Sequence, residues 1–591
     1  MKITSIFIVL ALALSTVHVA PVLADERNNS GKAVAALHEL FDRNWQRRLA
    51  ENPMLATSLG DLRYNDRWQD RSLEAIEASH EATVAELETL HGIDRKLLPA
   101  DEQINYDLFE LQLQDQIESH RFRTFLTPIS HRGGIQTLHN LTETLPLRTV
   151  SHYQDWLARL ARIDTLVEQQ IALMKVGLEE GRVPPAVLLQ RVTDQLARQV
   201  VDEPEDSPFF GAFVDFPDSI AEDDRVRLSG LARETIADTV LPAYQRLQEF
   251  FANDYLPAAR DSHGVWDLPD GEEYYAYLAR RFTTTDLSPD EIHQIGLDEV
   301  ERIRSQMKAV IEQVAFEGDF DDFLHYLRTD EKFYYATPEE LYQAYLAMSK
   351  RIDPLMVELF GRLPRMPYGV RPIPDDVAPD TTTAYYSRPA ADGSRAGYYY
   401  VNLYRPEVRP KYEMMALSLH EAVPGHHLQI ALAMELDNLP MFRRMSGFTA
   451  YTEGWGLYAE YLGEELGLYE DPYDKFGQLT YEMWRAVRLV VDTGLHHKRW
   501  TRQQAIDFFT ANAAKTEADI INEIDRYIGN PGQALAYKIG ELKIRELRAR
   551  AELALGEDFD IRAFHDTVLE NGAVPLDLLE RLVDDWIERQ R

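Results

Sequence analysis

The sequence predicts a mainly α-helical protein with one small β region, and three observations support this fold class. Apolar residues recur at the spacing of about 3.6 residues that marks a buried helix face in most of the chain. Two predicted helices begin with a capping box and a first-turn proline, at Ser288 and Thr337. Strand-forming residues are concentrated between Tyr368 and Tyr404. We therefore expect a helical N-terminal block (25–360), a small sheet region (361–410) and a helical catalytic block (411–591).

The first 24 residues have the composition of a secretory signal peptide. Lys2 supplies a positive charge, residues 6–14 form a short apolar run, and the small residues Val22 and Ala24 resemble a cleavage site. A membrane anchor is the alternative, but the run is shorter than the about 20 residues that span a bilayer. We expect cleavage after Ala24 and an exported protein, periplasmic or secreted, without membrane contact after cleavage.

The charge and the cysteine count exclude several classes of function. The 591 residues include 62 Lys and Arg against 98 Asp and Glu, for a formal charge of −36, and contain no cysteine. Such a negative chain is not expected to bind nucleic acid or an anionic membrane surface. Without cysteine, a disulfide framework, a thiolate nucleophile, a lipid-modified cysteine and a cysteine-ligated zinc site are all excluded.

The β region is predicted to form a hairpin. Two strand-forming runs, 381–387 and 397–403, lie on either side of an Asp-Gly pair. Because side chains alternate along a strand, Tyr398 and Tyr400 share one face of the second run. We expect Tyr398 and Tyr400 to bind substrate, with an edge strand that pairs with an extended peptide. A half-buried structural hairpin is the alternative.

The segment 419–427, LHEAVPGHH, carries the strongest chemical signal. In the common zinc peptidase motif, two histidines four residues apart on one helix face bind zinc. Here the second histidine comes six or seven residues later, so on a straight helix neither His426 nor His427 could share a metal with His420. Pro424 removes a helical hydrogen bond and must break the helix. We expect the break to return His426 towards His420, with His427 as the alternative metal ligand.

A carboxylate ligand and a general base complete the predicted site. Glu421 follows the first histidine, in the position of the base that activates water. Glu453 lies 32 residues after Glu421 and is followed by Gly454 and Gly456, which lower helix stability unless a close helix contact requires them. We expect such a contact to bring Glu453 to the metal; a solvated glutamate is the alternative. Glu460, seven residues on, is too far along the helix for the same metal.

The segments HEAVPGHHLQ and TEGWGLYAE closely resemble the bacterial family known as domain of unknown function 885. The resemblance continues through 492–496, 530–540 and 564–576. That family in turn resembles the helical gluzincin peptidases of the thimet oligopeptidase and carboxypeptidase Taq types. The resemblance implies a large two-lobed helical body with a deep channel, one Zn²⁺ per chain at its floor, and peptide substrates. The longer spacing between the histidines departs from those peptidases.

Later helices offer further candidates for the site. Arg488, Asp492 and His496 repeat every four residues and form one helix stripe, on which Asp492 could orient His496. We expect Arg488 to bind substrate and His496 to act in catalysis; a salt-bridged helix face is the alternative. Tyr537 follows a Pro-Gly loop and is expected to donate a hydrogen bond to the oxyanion of the reaction. Core packing is the alternative for Tyr537.

Three functions are compatible with these residues. The first is an exported zinc-dependent peptidase in which His420, His426 and Glu453 bind zinc and Glu421 is the general base. The second is a zinc hydrolase of a non-peptide amide or ester, which uses the same chemistry. The third is a helical binding protein with a vestigial metal site. The intact Glu421 argues against the third, because a purely structural site needs no base.

Overall fold

A computed structural model describes residues 19–375, 378–390, 393–445 and 447–591, and it confirms the mainly α-helical fold. Most of the predicted signal peptide, residues 1–18, lies outside the described residues, as does the aspartate of the predicted hairpin turn. Among the described helices, none is both long and apolar enough to cross a membrane.

The helices before the sheet have the following bounds: α1 Val19–Glu51, α2 Pro53–Ser58, α3 Leu73–His91, α4 Ala100–Arg121, α5 Val150–Leu160, α6 Ile163–Glu179, α7 Ala186–Ala197, α8 Glu222–Thr235, α9 Leu241–Phe250, α10 Gly271–Thr283, α11 Pro289–Gln313, α12 Phe320–Thr329, α13 Pro338–Ile352 and α14 Met356–Leu359. The predicted capping boxes are present at the starts of α11 and α13. In each, the side chain of Ser288 or Thr337 accepts a hydrogen bond from the main chain of a glutamate three residues on.

The sheet has three strands: β1 Tyr368–Pro372, β2 Ala384–Ser387 and β3 Gly397–Val401. The antiparallel pairing of β2 with β3 confirms the predicted hairpin. The expected edge position of the second hairpin strand is wrong, because β1 pairs in parallel with its other side and makes β3 the central strand. The main-chain groups of β3 are therefore used within the sheet and cannot pair with a peptide.

The helices after the sheet have the following bounds: α15 Met414–Glu421, α16 His426–Met434, α17 Met441–Arg444, α18 Thr449–Glu465, α19 Pro472–His496, α20 Arg502–Thr510, α21 Glu517–Gly529, α22 Ala536–Leu555, α23 Ile561–Leu569 and α24 Leu576–Gln590. Every residue of α15 is buried. Leu419 of this helix belongs to a core that also contains Leu37 of α1 and Phe109 of α4. Ala416 belongs to a second core, which contains Tyr399 of β3. Helix α15 thus lies between two cores, where its position is strongly constrained.

Helices α18 and α22 cross at backbone contact. A Cβ atom added to Gly454 would lie 2.5 Å from the Cα of Gly540, and one added to Gly540 would lie 1.8 Å from the carbonyl oxygen of Ala450. Only glycine at these two positions allows the helices to approach so closely. The crossing is the close helix contact that the glycines after Glu453 predicted.

A buried ionic cluster joins α22 to α11 and α19. The ammonium group of Lys538 is fully buried and lies 2.9 Å from Glu299, 2.8 Å from Glu482 and 2.8 Å from Glu541. A buried charge without such partners would cost several kcal/mol, so the three helices are held in one arrangement. Tyr537, the preceding residue, is positioned by the same contacts.

Candidate metal centre

The chain between α15 and α16 brings two histidines together. His420 and Glu421 end α15, and His426 begins α16. Pro424 has no N–H to continue the first helix. A Cβ atom on Gly425 would lie 1.9 Å from the carbonyl oxygen of His420, so only glycine permits this turn. The imidazole rings of His420 and His426 are consequently 4.6 Å apart and nearly perpendicular, as the helix break predicted.

Glu453 of α18 faces both rings. Its Oε2 atom lies 3.4 Å from Nε2 of His420 and 3.5 Å from Nε2 of His426. Bonds of about 2.0–2.1 Å in a tetrahedral zinc site separate ligand atoms by about 3.3–3.4 Å. The buried Oε2 atom has no hydrogen-bond partner among the described residues. A buried polar atom without a partner is costly, and a metal ion at this point would satisfy it. The three side chains therefore fit a zinc ion.

The carboxylate of Glu421 belongs to the same cluster. One ligand atom each from His420, Glu421 and His426 lie within 4.8 Å of one another. Glu453 is the better carboxylate ligand, because its oxygen is nearly equidistant from the two histidine nitrogens. This leaves the carboxylate of Glu421 beside the two histidines, and its role as a general base stays a prediction.

The other nitrogen of His420 is held by Glu460. Its Nδ1 atom donates a hydrogen bond of 2.8 Å to Oε1 of Glu460, whose side chain is fully buried. Arg485 lies 3.2 Å from the same carboxylate oxygen. A carboxylate on the second nitrogen of a metal-binding histidine fixes the tautomer and the ring orientation.

Two further residues of α18 shape the histidine segment. The indole nitrogen of Trp455 donates a hydrogen bond of 2.8 Å to the carbonyl oxygen of Pro424 and thus holds the helix break. A Cβ atom on Gly456 would lie 2.6 Å from the Cε1 atom of His420, so glycine provides the space for this ring.

The charges of the cluster favour a cation. Burial lowers the pKa of His420, but the carboxylates of Glu453, Glu460 and Glu421 raise it to about 9. Burial opposes ionisation of Glu453, yet His426 and His420 hold the pKa of its carboxyl well below the usual range. The shift of His420 shows that carboxylates place negative charge around its ring, an environment that also suits a divalent cation.

His427, the alternative ligand, is engaged elsewhere. Its Nδ1 atom accepts a hydrogen bond of 2.9 Å from the hydroxyl of Tyr386, and its Nε2 atom donates one of 3.0 Å to the carbonyl oxygen of Met366. Burial lowers the pKa of His427 to about 4. Because both nitrogens are occupied, the geometry favours His426 as the second histidine ligand.

Tyr537 and Arg488 lie on one side of the cluster. The ring of Tyr537 is stacked on that of His420, with 6.5 Å between the ring centres. Burial and the charge of Glu453 raise the pKa of the Tyr537 hydroxyl, which keeps its proton at neutral pH. The guanidinium of Arg488 lies over the ring of Tyr537, 4.3 Å from the ring centre.

The family assignment rests on a match that spans most of the chain. A family model described as bacterial protein of unknown function (DUF885) matches residues 53–583. The chain belongs to the DUF885 family. The match confirms the resemblance of the HEAVPGHH and TEGWGLYAE segments to that family, and the more distant relation to gluzincin peptidases stays a prediction.

Two solved structures are similar to this DUF885 protein. A candidate lipoprotein from Colwellia psychrerythraea is 31 % identical, with a TM-score of 0.89, over 94 % of this chain and 99 % of that chain. A candidate lipoprotein of unknown function from Shewanella oneidensis is 17 % identical, with a TM-score of 0.68, over 93 % of this chain and 99 % of that chain, and shares the fold. No curated protein matches the chain.

His496 of this DUF885 protein is bound by main-chain groups. Its Nδ1 atom accepts a hydrogen bond of 3.2 Å from the N–H of Val265, and its Nε2 atom donates one of 3.0 Å to the carbonyl oxygen of Tyr527. Burial lowers the pKa of His496 to about 3. The expectation that Asp492 orients His496 is wrong, because Asp492 instead accepts hydrogen bonds from the hydroxyl of Tyr275 and the N–H of Gly532. No ring nitrogen of His496 is left to transfer a proton to substrate.

Tyr398 and Tyr400 lie on the face of β3 that is opposite to α15. The hydroxyl of Tyr398 accepts a hydrogen bond of 2.9 Å from Arg371, and the ring of Tyr400 is stacked on that of Tyr385. Tyr399, on the other face, contacts Ser418 of α15 through their hydroxyl oxygens, which are 3.4 Å apart. The structure does not bring Tyr398 and Tyr400 to the metal cluster, and their role in substrate binding stays a prediction.

Sequence reasoning missed the residues that orient the ligands. Three residues contact the histidine segment directly or through one another: Glu460, Arg485 and Trp455. The sequence did contain one signal, since Glu460 lies seven residues after Glu453 and therefore on the same helix face. The spacing excluded Glu460 as a ligand of the same metal but did not reveal its bond to His420.

Proposed function

We propose that this DUF885 protein is an exported zinc-dependent hydrolase that cleaves amide bonds of short peptides. One observation carries the proposal: Oε2 of Glu453 lies 3.4 and 3.5 Å from the Nε2 atoms of His420 and His426. Two histidines and one glutamate, with a fourth position open, are the ligand set of catalytic zinc sites, whereas structural sites are closed by four protein ligands.

His420, His426 and Glu453 would hold the ion. Zinc in such a three-ligand site supplies Lewis acidity, which polarises a substrate carbonyl and acidifies water. Glu421 accepts a proton from the attacking water at its carboxylate and passes that proton to the leaving amine. Glu460 holds the proton of the neutral His420 ring on Nδ1, so the Nε2 lone pair would be available to the ion.

Tyr537 is suited to stabilise the oxyanion that forms on the substrate. Its hydroxyl retains its proton, because burial and Glu453 raise its pKa, and a protonated phenol can donate a hydrogen bond. Gln533 donates a long hydrogen bond of 3.4 Å to the same hydroxyl, which limits its rotation. The ring of Tyr537 lies nearly parallel to that of His420, with 6.5 Å between the ring centres, so Tyr537 is close to the candidate ligands.

Two cavities lie close to elements of the candidate site, although neither is lined by the residues of the metal cluster itself. One cavity of about 1010 Å³ is lined by Phe448 and Thr449, at the start of the helix that carries Glu453. The other, of about 560 Å³, is lined by Trp484 and Glu523, which contact Arg488. Ligand-binding cavities typically have volumes of about 300–1,000 Å³, so either cavity has room for a short peptide.

Export is supported by two independent observations. The first 24 residues have the charge, apolar run and small residues of a signal peptide. The similar proteins from Colwellia psychrerythraea and Shewanella oneidensis are described as candidate lipoproteins, a class that is exported.

The test compares metal content and hydrolysis in three purified proteins: the wild type, Glu421→Gln and Glu470→Gln. Glu470 is exposed and is not one of the residues of the cluster, so it controls for the loss of one carboxylate. We expect about one zinc per chain in all three proteins, and a loss of peptide hydrolysis of about 10²-fold or more in Glu421→Gln alone. Hydrolysis by Glu421→Gln at the wild-type rate, or by chelated wild type, would contradict the proposal.

A further inference from the structure

A charged cavity lies beside Arg488, because two of its lining residues, Trp484 and Glu523, contact that side chain. It has a volume of about 560 Å³, and its charged lining consists of Arg132, Arg191, Arg198 and Lys515 with Asp194, Asp519 and Glu523. Cationic side chains slightly outnumber carboxylates here, whereas the whole chain has a formal charge of −36.

Most of these charges are neutralised by neighbours. The ammonium of Lys515 pairs with the buried carboxylate of Glu413, and Arg191 lies 3.5 Å from Asp525. In contrast, no ion pair or side-chain hydrogen bond involves the guanidinium of Arg132 within the described residues, and this side chain is solvent-exposed. Arg132 therefore brings an unbalanced positive charge into the cavity.

A second guanidinium is incompletely paired. Arg488 is only 4 % exposed, and its side chain is held between the rings of Trp484 and Tyr537. Its Nε atom donates to the hydroxyl of Tyr527, and its Nη2 atom lies 3.2 Å from Glu523. The buried Nη1 atom has no hydrogen-bond partner among the described residues. A buried donor without an acceptor is costly, and a bound anion would remove that cost.

One carboxylate serves two arginines in this region. Glu523 lies 3.0 Å from Arg526 as well as 3.2 Å from Arg488. Arg132 lines the same cavity as Glu523. Arg488 contacts both Glu523 of this cavity and the ring of Tyr537, so it links the cavity to the candidate site.

We propose that Arg132 and Arg488 bind a carboxylate group of the substrate, so that the enzyme prefers peptides with a free carboxylate close to the cleaved bond. A guanidinium matches a carboxylate with two parallel hydrogen bonds, which gives both affinity and orientation. The carboxylate is either the C-terminus of a peptide or an acidic side chain. This inference rests on the proposed function and specifies its substrate class.

The test measures binding, so that it is informative whether or not a given peptide is cleaved. Isothermal titration is carried out with Glu421→Gln protein and three probes: acetyl-tetraalanine, its C-terminal amide, and the amide with glutamate as its last residue. We expect the free acid to bind at least tenfold more tightly than the neutral amide. The third probe distinguishes a terminal from a side-chain carboxylate as the bound group.

Addition of Arg132→Gln should reduce the preference for the carboxylate to less than threefold, and Arg132→Lys should restore part of it. Arg191→Gln is the matched control, because Arg191 lines the same cavity but is already paired. Three outcomes would overturn the inference. They are equal affinities for all three probes, no binding of any probe, and an equal loss of affinity for the acid and the amide in Arg132→Gln. Failure of the proposed function would appear separately, as a wild-type protein that hydrolyses no peptide.

Discussion

His420 and Glu460 form a hydrogen bond of 2.8 Å between Nδ1 and Oε1, and both side chains are buried. In the neutral ring, the bond places the proton on Nδ1 and leaves the Nε2 lone pair on the side of Glu453 and His426. Arg485 balances the charge of Glu460 at 3.2 Å. The orientation of the first histidine ligand is thus set by α18 and α19, and not by the segment that contains the histidine.

Glu460→Gln should weaken metal binding without removing a ligand. The amide keeps the size of the side chain but loses the charge that makes His420 a stronger donor, so we expect zinc affinity to fall about 10–100-fold. Competition with a chelating dye measures this, with Glu470→Gln as control. An unchanged affinity would show that the bond to His420 has no influence on the metal.

Substitution of the two adjacent histidines should separate their roles. His426→Ala should lose the zinc ion, because its Nε2 atom faces Glu453. His427→Ala should retain the ion, because the bonds of His427 are to Tyr386 and Met366. Atomic emission measures the metal content per chain of both variants. Zinc retained in His426→Ala and lost in His427→Ala would exclude His426 as the ligand.

Tyr537→Phe should lower the rate of hydrolysis with the metal still bound. The variant keeps the ring that stacks on His420 but removes the hydroxyl, so we expect kcat to fall about 10²–10³-fold with little change in KM. Steady-state kinetics on a cleaved peptide measure both constants. A kcat within threefold of the wild type would assign Tyr537 to packing alone.

Gly540→Ala should force α18 and α22 apart. Its Cβ would overlap the carbonyl oxygen of Ala450, so we expect a loss of about 1–3 kcal/mol in the free energy of unfolding. Since Glu453 lies on α18, zinc binding should weaken as well. Gly230→Ala is the control, because its Cβ meets nothing within 4 Å in helix α8, and there alanine should stabilise. Equal stability of the two variants would contradict the close crossing.

Asp492 should make the protein less stable as the pH rises. Burial raises the pKa of its carboxyl to about 7 in the folded state, against about 3.9 in an unfolded chain. A raised folded-state pKa gives stability that is present below about pH 4 and is lost as the pH rises through about 7. Asp492→Asn cannot ionise, so its melting temperature relative to the wild type should increase between pH 5 and 8. Parallel melting curves across this range would show that Asp492 does not titrate there.

The parts of the fold that are set by residues close together in the sequence were predictable. The capping boxes at Ser288 and Thr337 and the hairpin of β2 and β3 are set by local chemistry. The central position of β3 was not predictable, because it depends on β1, whose nearest residue, Pro372, lies 25 residues before Gly397 in the chain.

The same distinction applies to the site. The motif chemistry predicted the cluster of His420, Glu421, His426 and Glu453, which the fold brings together. The predicted pairing of Asp492 with His496 failed, because a fully buried helix presents every face to other segments of the chain. Asp492 therefore bonds to α10 and to the loop before α22, contacts that no periodicity within α19 could indicate.

The hydrogen bond from Trp455 to Pro424 has a consequence for how such proteins are recognised. It ties the interrupted histidine segment to a helix that also carries a ligand, so the information for the centre is divided between two short stretches, 420–426 and 453–460. A genome survey that requires histidines four residues apart passes over this chain. A paired signature would retrieve this chain and others that share both stretches. It would require a proline-glycine interruption in the first stretch and Glu-Gly-Trp-Gly in the second.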